Sequence, residues 1–273
     1  MIGFRILCAA ALAVTCAVAG CDRRQRSRAD GDDGAKSEAL AATPGGPQQT
    51  APYIARSLAS IGRLTGFVEI DGTPPADTVF QPAADQDVCG TGFTRRGIET
   101  RGNRVVGVVV WIDGIRSGKP MPLDRRFEVV NDRCMLVPEL QTAIAGGTLN
   151  VRNQDALEHR TRVVRRDGGE LLATIRETDE GQVVPDERVL AKPGVLELSC
   201  TAHSWTHGWI AVFDHPYFAT TGTDGSFVLD SVPPGRHRVL LWHPRLGPVE
   251  ESVSIEAGQT ATVTLRAKAA VAR

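Results

Sequence analysis

The stretch GVLELSCTAHSWTHGWIAVFD, residues 194–214, places two short apolar segments on either side of a polar loop. In the first segment Leu196, Leu198 and Cys200 alternate with polar residues, which predicts a strand carrying these three side chains on one inward face. The loop that follows contains His203 and His207, two of the six histidines of the chain. A thiol this close to two imidazoles is either a site for a soft metal ion or a coincidence.

Short segments of the same kind fill the chain from Ile61 onward, and turn residues separate them. RVVGVVVWIDGI (104–115) is a β-branched run that ends at Asp-Gly, and GSFVLDSVPPG (225–235) ends at Pro-Pro-Gly. The 28 glycines and 16 prolines suit many short strands joined by turns. No segment has a helical stripe longer than a turn or two. We therefore predict an all-β fold, a β-sandwich with Greek-key connections.

The N-terminus has the features of a targeting segment. Residues 1–20 contain Arg5, an apolar run from Ile6 to Ala19 and then small residues, which predicts a signal peptide. The run is too short to span a bilayer of about 30 Å as a helix. VAGC, ending at Cys21, resembles the lipobox of bacterial lipoproteins, which implies that Cys21 is lipidated. Ordinary cleavage after Ala19 is the alternative.

Residues 21–60 mix charges with Gly, Pro, Ser and Gln and have no apolar periodicity, which predicts a disordered tether. Together with the lipid on Cys21, this predicts an extracytoplasmic protein anchored to a membrane. The resemblance to bacterial lipoproteins implies that Asp22, directly after the lipidated Cys21, favours retention on the periplasmic side of the inner membrane. The formal net charge of −1 gives no reason to expect nucleic acid as a partner.

Three cysteines remain once the signal peptide and Cys21 are set aside, and we expect them in an oxidising compartment. Cys89 (in DVCG) and Cys134 (in DRCML) lie in polar, turn-flanked contexts, which suits a disulfide between them. Cys200 is then left as an unpaired thiol. An inward-facing thiol of this kind withstands oxidation best if it is packed away or bound to a metal.

The pattern Asn153-x-Asp155-x-x-x-His159, followed some 40 residues later by Cys200-x-x-His203 at a strand end, resembles the cupredoxin pattern. It is similar in particular to bacterial plastocyanin-like lipoproteins whose sandwich continues into a carboxypeptidase-regulatory-like segment. The counterpart of that segment is DHPYFATTGTDGSFVLDSVPPGRHRVLLWHP. The resemblance implies a cupredoxin-like domain at 61–215 and a carboxypeptidase-regulatory-like β-sandwich segment at 216–268.

The resemblance also implies one mononuclear copper site, with Cys200 as the thiolate ligand and His159 and His203 as imidazole ligands. Such a site would transfer single electrons to or from a redox protein partner. Two family positions differ here. Thr206 replaces the usual axial Met, and Glu139 stands where the relatives carry a histidine. Glu139 is therefore a candidate fourth ligand, with an oxygen donor that would favour oxidised copper.

Further residues are candidates for supporting or completing this site. Asn153 and Trp205 are expected to orient the imidazoles, and His207 is an alternative axial ligand in place of Thr206. In addition, Arg160 stands where the family carries an Asn that normally holds the cysteine loop, which predicts a weaker hydrogen bond there.

Other functions stay open at this level. The chain could be a metal-free sandwich for protein or glycan contacts, a protein that delivers or stores copper, or a zinc protein, since Cys, His and Glu also bind zinc. It contains no GxSxG, P-loop or HExxH motif, so we expect neither enzymatic activity nor a small-molecule substrate.

Overall fold

The computed structural model describes residues 46–48 and 51–270. The predicted signal peptide, the lipidation site Cys21 and most of the predicted tether lie outside these residues. Within the described ranges, no helix has the length and apolar character needed to cross a bilayer.

Strands dominate the part of the chain that the structure describes, which confirms the predicted all-β sandwich class. The single helix there, α1, has four residues. The elements in chain order are β1 (Ile54–Ala55), β2 (Gly62–Asp71), β3 (Thr78–Phe80), α1 (Gln86–Cys89), β4 (Phe93–Arg95), β5 (Thr100–Arg101), β6 (Arg104–Val105), β7 (Val109–Asp113), β8 (Ser117–Gly118), β9 (Arg126–Asp132), β10 (Met135–Val137), β11 (Leu140–Ile144), β12 (Thr148–Asn153), β13 (His159–Arg165), β14 (Leu171–Glu177), β15 (Val183–Asp186), β16 (Gly194–Cys200), β17 (His207–Phe213), β18 (Phe218–Thr220), β19 (Ser226–Val232), β20 (Gly235–Trp242), β21 (Val249–Ile255) and β22 (Thr260–Lys268).

One sandwich consists of residues 126–213 and is called the inserted sandwich below. Its two sheets have the strand orders β10-β9-β12-β15 and β11-β17-β16-β13-β14. Between them lies a core of aliphatic side chains that includes Val129, Leu149, Val151, Val163, Leu196, Leu198 and Ile210. The alternation predicted for β16 is confirmed, because Leu196, Leu198 and Cys200 are all buried.

The second sandwich, called the outer sandwich below, combines strands from both sides of the insertion. Its sheets have the orders β19-β2-β6-β5, with β22 also paired to β2, and β18-β7-β20-β21. Strand β2 runs parallel to β22 over the pairs from Arg63–Thr260 to Asp71–Lys268. The outer sandwich therefore contains strands from both predicted ranges, 61–215 and 216–268, whereas the inserted sandwich lies entirely within the first. Strands that are distant in sequence pair because each needs to bury its apolar face.

The two sandwiches pack against each other through strands that are buried on both faces. In β7, Val110 and Ile112 face the core of the outer sandwich, whereas Val109 and Trp111 face a cluster shared with the inserted sandwich. Strand β17 contributes Phe213 to the same shared cluster. Because successive side chains of a strand point in opposite directions, a strand covered on both faces has a continuous apolar sequence. This explains the unbroken β-branched run around β7.

A covering segment, defined here as residues 78–95, leaves the outer sandwich after β2 and reaches one end of the inserted sandwich. It contains the β3–β4 pair and helix α1. The predicted disulfide is confirmed: Cys89 at the end of α1 is bonded to Cys134, in the turn between β9 and β10. The disulfide therefore fastens the covering segment to the end of the inserted sandwich where β13 begins and β16 ends.

Candidate metal centre

Three of the predicted ligands meet at this end of the inserted sandwich. His159 is the first residue of β13 and Cys200 the last residue of β16, and these strands are antiparallel neighbours. His203 follows in the loop before β17. The sulfur of Cys200 lies 3.7 Å from Nδ1 of His159 and 3.6 Å from Nδ1 of His203. The strand pairing therefore produces the convergence that the sequence pattern predicts.

The three side chains are shielded from water. The exposed fraction is 0 % for His159, 1 % for His203 and 5 % for Cys200. Together they form one of the groups of described residues whose ligand atoms all lie within 4.8 Å of one another. A buried thiol and two buried imidazoles at these separations form a soft donor set.

A carboxylate orients His159. Its Nε2 lies 2.8 Å from Oδ2 of Asp155, which is itself 4 % exposed. Asp155 also accepts hydrogen bonds from the backbone N–H groups of Arg133 and Cys134. The side chain of Asn153 holds the loop, since its Oδ1 accepts from the N–H of Asp155. With Nε2 turned to a carboxylate, the imidazole presents Nδ1 to Cys200.

The electrostatics of the pair favour a thiolate. Burial by itself raises the pKa of Cys200, but the hydrogen bond with His159 and backbone hydrogen bonds outweigh it and lower the pKa to about 6. Burial likewise tends to lower the pKa of His159, but hydrogen bonds with Asp155 and Cys200 raise it to about 9. Both shifts favour the ion pair of an imidazolium and a thiolate in the metal-free protein. The thiolate is the form of cysteine that binds metals.

His203 also has a carboxylate partner, which comes from the covering segment. Its Nε2 lies 3.2 Å from Oδ2 of Asp85, the residue before α1. The ring of Trp205 packs against the imidazole, with the ring centroids 5.1 Å apart. Trp205 thus contacts the site directly, whereas Asn153 acts through Asp155.

The structure does not bring Glu139 to the three-residue cluster. Its carboxylate lies 3.0 Å from Nη2 of Arg245 and 3.9 Å from Nε of Arg95. Arg245 belongs to the outer sandwich, and only the packing of the two sandwiches brings it close to Glu139. The hypothesis that Glu139 is a fourth metal ligand did not anticipate this partner. Two guanidinium groups hold the carboxylate there, because an anion is stabilised by nearby cations.

The other loop positions also have structural partners. The hydroxyl of Thr206 donates to the carbonyl of Cys134. His207 has its Nε2 3.1 Å from the carbonyl of Ser204, and its ring stacks on Trp209. At the position where the family carries Asn, the carbonyl of Arg160 accepts a hydrogen bond from the N–H of Thr201. A main-chain contact therefore ties the cysteine loop to β13.

A buried polar network lies beside His159. Glu177 is the partner of His159 in the register of β13 and β14, and it is fully buried. The hydroxyl of Thr161 donates a hydrogen bond to Glu177 at 3.4 Å and accepts one from the side-chain amide of Asn131 at 3.3 Å. Burial raises the pKa of Glu177 to about 7, and its Oε1 has no hydrogen-bond partner in the described structure.

The sequence patterns include Asp155 only as a position of the Asn153-x-Asp155-x-x-x-His159 pattern, without a role, and do not include Asp85 or Glu177. The four-residue spacing from Asp155 to His159 was a usable signal, because a loop of that length can fold a carboxylate back onto the ring. Asp85 is more than 100 residues from His203, and Glu177 reads as an ordinary polar residue at a strand end, so neither gives a sequence signal.

The three donor atoms are of the kinds that bind copper in proteins. A thiolate and two imidazoles are the ligands that select copper in electron-transfer sites, and zinc accepts the same donors in a tetrahedral set. Cys200, His159 and His203 would hold the ion. A ligating imidazole must be neutral and a ligating cysteine must be a thiolate, so metal binding at these residues would depend on pH.

No protein-family model matches the chain, and neither does any curated protein. Among solved structures, the chain is similar to a purple cupredoxin from Nitrosopumilus maritimus, with 18 % identity, a TM-score of 0.27, and coverage of 32 % of this chain and 98 % of that one. Auracyanin from Roseiflexus castenholzii has 16 % identity and a TM-score of 0.29, and the match covers 35 % of this chain and 100 % of that one. Amicyanin from Paracoccus versutus has 19 % identity and a TM-score of 0.27, and the match covers 34 % of this chain and 84 % of that one. These similarities are too distant to support a conclusion about the metal or the activity.

Proposed function

We propose that this protein binds one copper ion through Cys200, His159 and His203 and exchanges single electrons with a redox protein partner. The observation that carries the proposal is the convergence of a buried thiol and two buried imidazoles, within 3.7 Å of the sulfur, from separate parts of the chain. Bound copper would supply a one-electron couple, since both of its common oxidation states accept these ligands.

The residues of the chain contribute preorganisation. Cys200 supplies a thiolate because its pKa is lowered to about 6, and Asp155 fixes the orientation of His159. Two of the three donors lie on paired strands of one sheet, so their separation changes little when the charge of the site changes. A site that moves little suits electron exchange, and we expect no enzymatic activity.

The test is the visible absorption spectrum of the full-length protein after addition of Cu(II). We expect a thiolate-to-copper band in the wild type and its loss in Cys200→Ser. His159→Gln should weaken the band strongly. The matched control is His207→Gln, which removes the nearby histidine at the start of β17 that has its own backbone partner, and this variant should keep the band.

Other outcomes of this experiment point to the alternatives. A wild-type chain without the band, with Cys200 unreactive, would overturn the copper proposal and favour a metal-free structural role. Preferential retention of Zn(II) in competition would favour a zinc protein. A band that is present but lost rapidly to a soluble chelator would favour copper delivery over electron transfer.

The location of this activity is part of the same proposal. The VAGC segment ending at Cys21 supports a lipid anchor, and residues 21–60 would act as a tether that keeps the redox site accessible to a partner at the membrane surface. Cys21→Ala should move the protein from the membrane fraction to the soluble extracytoplasmic fraction. An unchanged distribution would contradict the anchor.

A further inference from the structure

The covering segment places a carboxylate on the second imidazole of the centre. Oδ2 of Asp85 lies 3.2 Å from Nε2 of His203, on the side of the ring opposite the atom that faces Cys200. His203 is only 1 % exposed, whereas the Asp85 side chain is 53 % exposed. The carboxylate therefore lies at the boundary between the buried ring and solvent.

The local backbone indicates that this placement is not a by-product of helix capping. Asp85 precedes α1 in a left-handed conformation, with φ 56° and ψ 33°, and its side chain makes no capping hydrogen bond. Residues other than glycine adopt this conformation at an energetic cost, although Asp tolerates it better than most. An aspartate that sits at a helix start without capping it has its carboxylate free for another partner, here His203.

The disulfide holds Asp85 in place. The carbonyl of Asp85 accepts a hydrogen bond from the N–H of Cys89 at 2.7 Å, and Cys89 is bonded to Cys134. The N–H of Cys134 in turn donates to Asp155, the carboxylate that orients His159. One buried cystine therefore connects the carboxylates of both imidazoles. Its sulfur atoms lie within 4.8 Å of a ligand atom of His203.

We propose that Asp85 is a positioning residue for His203, held over the ring by the Cys89–Cys134 disulfide. This inference rests on the proposed copper function. The carboxylate accepts the Nε2 proton and so fixes the tautomer that presents Nδ1 to the metal position. Its negative charge also stabilises the more positive oxidation state of a bound ion, which lowers the reduction potential.

The test compares Asp85→Asn with Asp87→Asn in the full-length, copper-loaded protein. Asp87 is an exposed carboxylate of the same helix and serves as the matched control. We expect Asp85→Asn to lower the Cu(II) affinity about tenfold, at the low end of the usual effect of such partners, and to leave the Cu(I) affinity nearly unchanged. That ratio corresponds to a rise of about 59 mV in the midpoint potential.

Further variants separate the charge from the fold. Asp85→Glu retains the charge and should restore most of the wild-type potential. The double variant C89S/C134S releases α1 and should reproduce the shift of Asp85→Asn. In the metal-free protein, the ring-nitrogen NMR shifts of His203 should move in Asp85→Asn and not in Asp87→Asn, because an amide oxygen accepts the Nε2 proton more weakly than a carboxylate does.

The outcomes distinguish this inference from the proposed function. If the wild-type chain shows no copper–thiolate band, the copper function fails. If the band is present but Asp85→Asn and Asp87→Asn have the same potential and Cu(II) affinity, the copper function stands and the role of Asp85 is overturned. If C89S/C134S does not fold, the comparison of the two Asn variants still decides.

Discussion

Two buried histidines, one at the candidate metal centre of the inserted sandwich and one between β17 and β18, have opposite electrostatic properties. His159 is fully buried and its pKa is raised to about 9, whereas His215 is 5 % exposed and burial lowers its pKa to about 4. His215 packs near the rings of Phe213 and Tyr217, and its Nδ1 accepts the N–H of Tyr217. It has no carboxylate within ion-pair distance in the described structure.

The difference shows that burial alone does not prepare a histidine for metal chemistry. Removal of water disfavours the charged form of both rings. Only at His159 do a carboxylate and a thiol reverse that effect, and these partners also fix which nitrogen faces the sulfur. The sequence singles out His159 only through its resemblance to a family pattern and shows none of the partners that set it apart from His215. The partners, rather than the histidines, distinguish a candidate ligand from a packed aromatic ring.

The largest expected effect comes from removing the partner of His159. Asp155→Ala deletes the acceptor of three hydrogen bonds and removes the carboxylate partner of the buried imidazole of His159. We expect the metal-free protein to lose about 4 kcal/mol of unfolding free energy, as measured by urea denaturation at neutral pH.

The matched control for this prediction is Asp224→Ala in the outer sandwich. Asp224 also accepts several hydrogen bonds, from the backbone and hydroxyl of Ser226, but it does so at an exposed turn. Its replacement should have a clearly smaller effect. Equal losses in the two variants would mean that the carboxylate of Asp155 acts only as a loop-closing group.

The second prediction concerns pH and tests the other side of the comparison. The pKa of His215 is about 4 in the folded protein and near 6.5 when unfolded, so the unfolded state binds more protons between these values. The contribution of neutral His215 is fully present above pH 6.5 and is lost as the pH falls towards 4. The loss amounts to about 3 kcal/mol at most.

This pH dependence can be isolated with His215→Leu. The variant cannot take up the proton, so its unfolding free energy should fall less than that of the wild type between pH 7 and pH 4. The two denaturation curves should therefore converge, or cross, as the pH falls. Parallel curves would show that His215 is hydrated in solution and does not differ from an exposed histidine.

The sequence predicted those parts of the fold and site that depend on local patterns. Alternation in β16 correctly placed Cys200 inward, and the polar contexts of Cys89 and Cys134 correctly indicated their disulfide. The cysteine–histidine spacing brought Cys200 and His203 together, because two intervening residues cannot carry them far apart. Each of these predictions needs only a few consecutive residues.

What the sequence did not predict depends on long-range packing. The pairing of β2 with β22 joins segments almost 200 residues apart, and nothing in either strand specifies the other. The same holds for Asp85, which reaches His203 only through the disulfide-bonded covering segment. Glu139 is the converse case, because the family resemblance suggested a ligand whereas a distant arginine determines where its carboxylate lies.

The smallest expected effect concerns Glu139 and tests which residues belong to the candidate metal centre. Its ion pair with Arg245 is partly exposed and connects the inserted and outer sandwiches, so Glu139→Gln should destabilise the protein by only about 0.5 kcal/mol. Because the carboxylate faces two arginines and is not part of the three-residue cluster, the copper–thiolate band of this variant should keep its position and intensity. A shifted band would show that Glu139 leaves Arg245 and binds the metal when copper is present. Glu139 would then belong to the metal site as well as to the interface between the two sandwiches.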